Sequence, residues 1–212
     1  CKYYKALRQN IDIGIDIRRY RRIIMNEFIF ESFPKLNTQR LFLRQITQED
    51  DNSLFEILSN EVTCEFLTHN AVNDIAYIKR LITGMQRFFD ERQRIRWGIA
   101  QKQDNSLIGH CGFFDIDKSN CCAEISYCLN NALWGQGIMT EALDAMLKFG
   151  FEEYGLNRIV AKVMKGNIGS MKVLQKLGFV QEGLLRESLY KNGQYHDLMI
   201  FSILKSEYHS TN

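Results

Sequence analysis

The chain has 212 residues, 45% of them hydrophobic and 25% charged, with a formal net charge of +2. That length encloses one full hydrophobic core and at most two, in the proportions of an ordinary globular protein. No apolar run approaches the roughly 20 residues a bilayer crossing needs, no secretory pattern is present, and with one proline there is little room for a flexible linker.

In chain order, residues 1–24 come first and carry seven basic and two acidic side chains, which leaves the remainder net acidic. A nucleic-acid binder is expected to show its basic patch on the folded domain. Here the excess sits in one terminal segment, and Arg18, Arg19, Arg21 and Arg22 read as a solvated tail. Met25 reads as the natural start, with residues 1–24 as upstream or added sequence. The competing reading is an added element, since Ile11, Ile13, Ile15 and Ile17 alternate as in a strand. Residues 25–212 are expected to form one domain.

Residues 40–45 alternate as a first strand. Residues 48–59 and 73–91 carry helical spacing, the second with Tyr77, Ile78, Leu81, Ile82 and Met85 on its apolar face. Ile95, Trp97 and Ile99 alternate as a strand, followed by strands over 107–116 and 121–129, with turn-rich Asp104-Asn105 and residues 117–120 between them. Residues 136–154 read as one long helix, on which Glu141, Asp144, Lys148 and Glu152 form a single polar stripe with one wet edge. A β-branched strand follows over 158–164. Ile168, Met171, Leu174 and Leu177 then line a helix that Gly178 caps. Residues 180–190 and 194–204 close the chain as a hairpin around Lys191-Asn192-Gly193. Strands outnumber helices and fall mainly in hairpins, so the fold class is α+β with a mixed sheet.

Chemistry concentrates after the fourth predicted strand. In Trp134-Gly135-Gln136-Gly137-Ile138-Met139-Thr140, two glycines follow a strand and open a helix. That order presents unpaired amides at the positive end of a helix dipole, which suits a phosphate. Glycine permits positive φ and close approach of a ligand to the backbone. The bland alternative is a turn that needs glycine for geometry alone. Asn167 is a strong N-cap, and Ser170, at the third helical position, is placed to serve the same free amides. Glu124 puts a carboxylate inside a buried strand, where it needs a task or a partner. The alternative to catalysis is pairing with a neighbouring Arg or Lys. His110 and His196 read as structural residues. The six cysteines show no C-x-x-C and no paired histidines at ligand spacing, so no metal site or disulfide framework is expected, and the compartment reads as reducing and cytoplasmic.

Three blocks in this order carry a family resemblance: Ala123-Glu124-Ile125-Ser126-Tyr127-Cys128-Leu129, then residues 134–142, then Asn167-Ile168-Gly169-Ser170 closing at Leu177-Gly178-Phe179. With Thr38-Gln39-Arg40-Leu41-Phe42-Leu43-Arg44 and residues 181–186, they resemble the GNAT superfamily of acetyl-CoA-dependent N-acetyltransferases, most of all its RimJ/RimL branch. The resemblance covers about residues 33–208. It implies a GNAT fold, a mostly antiparallel twisted sheet with helices on both faces. It further implies acetyl-CoA as co-substrate and a primary amine as acceptor, in this branch the N-terminal α-amine of a ribosomal protein.

By the same resemblance, residues 134–140 hold the coenzyme A pyrophosphate. Trp134 stands where Gln or Arg is common in the superfamily, and Met139 where Gly or Ala is common. Asn167 and Ser170 lie beside the pantetheine arm and the thioester sulfur. Leu174 occupies the position where relatives often carry a proton-donating tyrosine, which leaves Ser170 to steady the thiolate. Glu124 matches the general base of the histone-acetylating branch. The amides of Tyr127, Cys128 and Leu129, at the strand end, are expected to receive the developing oxyanion. The competing functions are acetylation of a small amine (an antibiotic, polyamine or amino-acid derivative) and an acyl-CoA-binding module with impaired catalysis. No nucleic-acid or membrane partner is expected, and the chain is expected as a monomer or homodimer.

Overall fold

The computed structural model describes residues 32–209; the basic segment 1–24 and the expectation about Met25 lie outside them. The described chain begins with β1 (Leu36–Asn37) and β2 (Leu41–Gln45). A 3-10 turn at Gln48–Asp50 leads into α1 (Asp51–Ser59) and α2 (Glu61–Cys64). Next come α3 (Ile75–Asp90), β3 (Ile95–Gln101), β4 (Leu107–Asp117) and β5 (Cys122–Leu129). The second half contains α4 (Ile138–Lys148), β6 (Arg158–Met164), α5 (Ile168–Lys176), β7 (Val180–Lys191) and β8 (Gln194–Leu204).

Local chemistry explains the starts and stops. Asp74 caps α3 by accepting the Ala76 amide at 2.8 Å, and Asn60 caps α2 through the Thr63 amide at 2.9 Å, each satisfying a donor the helix cannot. Asn192 and Gly193, both at positive φ, make the tight turn of the β7–β8 hairpin, whose twist matches the strands it joins.

All eight strands form one sheet in the order β1-β2-β3-β4-β5-β6-β8-β7. Every pair is antiparallel except β5 with β6. Leu54, Ile57, Ile78 and Ile82 of α1 and α3 pack with Leu107 and Cys128 on one face. Ala142, Leu143, Met146 and Leu174 of α4 and α5 pack with Trp97, Phe113, Ala123 and Ile125 on the other. This is the mixed α+β sheet with helices on both faces that the GNAT-like pattern implied.

Two details of the central helix differ from the expectation. It does not run as one α-helix to 154: after Lys148 it widens into a π turn over Phe149–Glu153, closed by the Tyr154 amide on the Phe149 carbonyl at 2.8 Å. The turn buries Phe149 and Phe151 together. Gly150 is required inside it, because a Cβ there would lie 2.7 Å from Phe113 Cζ. The polar stripe is wet only at its far end, where Lys148 and Glu152 are exposed. Asp144 is buried and accepts the Tyr208 hydroxyl at 3.0 Å, and Glu141 is half-buried against Thr38 and Arg40.

Candidate active site

The sheet opens at its one parallel pair. β5 and β6 are in register only from Cys122↔Arg158 to Glu124↔Val160. Beyond that point β5 continues to Leu129 on β4 alone, while β6 continues to Met164 on β8. The gap between the diverging strands leads into a cavity of about 590 Å³ lined by the end of β5, the start of α4 and the start of α5. A second groove of about 580 Å³, lined by Lys35, Thr38, Lys148 and other polar residues, shares Gly137, Thr140 and Lys176 with it.

Strand divergence leaves backbone groups without a neighbour. The Asn130 amide donates to the Ile108 carbonyl on β4 at 2.9 Å. Amides alternate sides along an antiparallel ladder, so the Cys128 amide also faces β4, whereas those of Tyr127 and Leu129 face the gap. Of the three expected oxyanion donors, Cys128 is therefore already committed to the sheet. The Leu129 carbonyl points the same way as its amide and accepts the Trp134 indole N–H at 2.9 Å.

The glycine loop has the geometry its sequence suggested. Gly135 and Gly137 both have positive φ. Gly137 is the N-cap of α4 and has no side chain to offer. The first intrahelical bond runs from the Glu141 amide to the Gly137 carbonyl at 3.1 Å. The amides of Ile138, Met139 and Thr140 thus precede any helical acceptor and sit at the positive end of the dipole. A Cβ on Gly135 would meet nothing within 4 Å, and one on Gly137 only Arg40 Nη2 at 3.7 Å. Met139 is 7% exposed with its side chain in the core cluster, so a methionine at this position leaves the loop open.

At the start of α5, Asn167 Oδ1 accepts the Ser170 amide at 3.0 Å. Asn167 alone does the capping, which frees the Ser170 hydroxyl to reach across to Tyr127 Oη at 2.6 Å. Position 174 holds a buried leucine, and the phenol beside Ser170 comes from β5 instead. Burial pushes the Tyr127 phenol up to about 12.

Comparison with known proteins agrees with this geometry. Residues 40–180 match the model of the acetyltransferase (GNAT) domain. The chain belongs to the GNAT acetyltransferase family. It is 36% identical over 176 residues to the uncharacterized N-acetyltransferase YoaA of Bacillus subtilis, covering 82% of this chain and 98% of that one. It is 33% identical over 100 residues to the ribosomal-protein-serine acetyltransferase of Escherichia coli, covering 47% of this chain and 56% of that one. Among solved structures, the ribosomal alpha-N-protein acetyltransferase RimL in complex with coenzyme A superposes with a TM-score of 0.75 at 23% identity, over 81% of this chain and 98% of that one. As a GNAT N-acetyltransferase, the protein uses acetyl-CoA as its acetyl donor.

Most of the residues expected at the acetyltransferase site come together around the cavity: Tyr127, Cys128, Leu129, Trp134, Gly135, Gly137, Ile138, Met139, Thr140, Asn167 and Ser170. Two do not line it. Gln136 turns its side chain back towards the Ala132 carbonyl at 3.5 Å and gives its own carbonyl to Arg40 Nη1 at 3.1 Å. Glu124 lies on the opposite sheet face from Ala123 and Ile125, and its carboxylate pairs with Lys162 Nζ at 2.7 Å. The structure thus realises the ion-paired alternative for Glu124 rather than a carboxylate turned into the donor cavity.

Several site residues escaped the sequence reading. Lys172 and Lys176, one helical turn apart, line the cavity; their i, i+4 spacing downstream of Asn167 was the available signal. Arg40 donates from Nε to Glu141 Oε2 at 2.6 Å and carries Nη2 to the Gly137 turn. Thr38 Oγ1 donates to Glu141 Oε1 at 2.5 Å. Arg40 compensates a carboxylate that would otherwise oppose an anion at the helix start. Lys191, from the hairpin, donates to the carbonyls of Cys64, Glu65 and Leu67 at 2.6, 2.8 and 2.8 Å, holding the loop whose Phe66 and Leu67 wall the cavity. His110 is buried on β4 with Nδ1 unpartnered; burial, with Arg96 and His69 nearby, holds it well below its ordinary value and neutral. Among the described residues no cluster of His, Cys, Asp and Glu could hold a metal ion, and no helix is long and apolar enough to cross a membrane.

Proposed function

We propose that this acetyltransferase transfers the acetyl group of acetyl-CoA to a protein N-terminal α-amine by direct attack with both substrates bound, a ribosomal-protein N-terminus being the leading acceptor. Such an acceptor places the reaction in the cytoplasm. The observation that carries this reading is the make-up of the cavity wall: among the described residues lining it there is no carboxylate and no imidazole. Only a neutral amine attacks a thioester. An α-amine, with a pKa of about 7.7–8.0, is already about half neutral near pH 8, whereas a lysine side chain near 10.4 needs a base to help it. A wall without a base suits the first acceptor. The Escherichia coli and RimL similarities, both to enzymes named for ribosomal-protein substrates, point the same way.

In this reading the loop from Gly135 to Thr140 receives the pyrophosphate on its free amides, with Lys172 and Lys176 supplying positive charge. The amides of Tyr127 and Leu129 face the gap and stabilise the oxyanion as the amine adds to the carbonyl carbon. Ser170 donates to the sulfur as the carbon–sulfur bond breaks. The proton shed by the new amide nitrogen leaves to solvent.

The test is a panel of amines assayed for coenzyme A release. Alanine- and serine-initiated peptides should support turnover that rises with pH as the α-amine deprotonates. Nα-blocked lysine peptides and polyamines should not. Turnover with polyamines or small amines and none with peptides would move the assignment to small-amine acetylation. Binding without turnover on any amine would leave only an acyl-CoA-binding module.

A further inference from the structure

The closest side-chain contact in the cavity joins two elements far apart in the chain. Tyr127 Oη and Ser170 Oγ lie 2.6 Å apart across a separation of 43 residues, and both residues line the cavity. The pair holds two hydroxyl protons and one mutual hydrogen bond, so whichever oxygen accepts keeps its own proton for a third partner. The chemistry of the two hydroxyls decides between the two arrangements. The Tyr127 ring packs against the apolar core cluster and its edge lines the cavity. A phenol is far more acidic than an aliphatic alcohol and so is the stronger donor of the two, which makes the shared bond strongest when Tyr127 donates and Ser170 accepts. If Tyr127 donates, its proton is satisfied and the Ser170 proton is left facing the cavity.

The phenol's acidity agrees with this direction. Burial pushes it up to about 12, and a simple thiol such as cysteine sits near 8.5. Proton transfer from Tyr127 to a departing thiolate would run uphill, so the phenol acts as a fixed donor and not as an acid.

We propose that Tyr127 is a positioning residue for acetyl transfer: its O–H holds Ser170 Oγ as an acceptor and thereby aims the Ser170 proton at the thioester sulfur. The proposal rests on the acetyl-transfer reading above, in which Ser170 meets that sulfur. As the amine nitrogen bonds to the carbonyl carbon, the electron pair of the breaking carbon–sulfur bond stays on sulfur. Ser170 stabilises that charge by a hydrogen bond and keeps its proton, and the amine's proton goes to solvent. A hydroxyl already oriented needs no reorganisation at the moment the charge appears.

Tyr127→Phe keeps the ring and removes the donor. Turnover of acetyl-CoA with an alanine-initiated peptide should fall roughly three- to tenfold, the worth of one oriented hydrogen bond, with calorimetric acetyl-CoA affinity unchanged. Ser170→Ala should lose at least as much, and the Tyr127→Phe/Ser170→Ala double variant no more than Ser170→Ala alone, because nothing remains to be oriented. Multiplying losses, or unchanged turnover beside a lowered melting temperature, would overturn the proposal. Should Tyr127→Phe fold poorly, a ring-fluorinated tyrosine at 127 keeps the shape and strengthens the donor. It should shift turnover without shifting affinity or melting temperature, and no shift in turnover would equally overturn the idea. A wild-type chain active with a peptide but insensitive at 127 sinks only the positioning role, whereas one inactive on every amine sinks the acetyl-transfer reading with it.

Discussion

Glu124 pairs with a lysine two residues beyond its register partner, Val160, on the neighbouring strand. Residues two apart on a strand share a face, so the pairing depends on β5 and β6 lying parallel and in that register. Nothing local to Ala123-Glu124-Ile125 encodes the partner, which is why the same carboxylate reads as a base along the chain and as half of an ion pair in the fold. A positioned general base is worth about 10²–10⁴-fold in rate. Glu124→Gln is therefore expected to lose far less than that in steady-state turnover on an alanine-initiated peptide. A hundredfold loss with normal acetyl-CoA affinity would return the base to this position. Ser170 shows the opposite case: its place at the third helical position was legible, but the phenol that occupies its hydroxyl comes from another element.

Helices and turns in this protein carry their own instructions at a few glycines. Gly84 sits inside α3 with ordinary backbone, and a Cβ there would meet nothing within 4 Å. Gly84→Ala should raise stability by about 0.5–1 kcal/mol, the helix-interior difference between the two residues. Gly137, at φ +75°, should respond in the other direction, Gly137→Ala costing about 1–2 kcal/mol for a left-handed side chain and weakening acetyl-CoA binding as well. Paired thermal melts and calorimetry on the two variants would check both signs. The hairpin carries a longer-range instruction. Lys191→Met removes the donor to three carbonyls of the 64–67 loop, and each carbonyl left buried without a partner costs about 1–3 kcal/mol. The expected result is a lower melting temperature, with a higher acceptor KM because Phe66 and Leu67 lose their anchor. An unchanged KM would show that this loop does not shape the acceptor end.

Over the whole molecule, buried thiols and phenols set the alkaline limit. Burial raises Cys111, and raises Cys128 to about 12. It raises Tyr127 and Tyr154 to about 12 as well. Unfolded, the thiols ionise near 8.5 and the phenols near 10. Below about pH 8.5 both states keep these protons, so they contribute no slope there. As pH rises, the unfolded chain releases protons that the folded chain holds, and stability falls. The fall should begin near pH 8.5, steepen above 10 and persist until the folded groups titrate. Urea unfolding from pH 8 to 11 should show it, with Tyr154→Phe and Cys128→Ala each removing part of the slope. A flat profile would show that these groups are solvated in the folded state.

By itself, the sequence determined the alternating strands, the amphipathic faces of α3 and α4, the glycine loop with its free amides, the Asn167 cap and the tight turn before β8. All of these depend on residues within one or two turns of each other, where propensity and periodicity act directly. Only the tertiary structure decided that Asp144 lies under Tyr208, that Glu124 meets Lys162, that Lys191 holds a loop 124–127 residues away, and that Tyr127 takes Ser170 across the gap. Periodicity shows which side of an element is apolar but not what will cover it. Those partners were chosen by sheet order and by where one parallel pair comes apart, and both are properties of the packed chain.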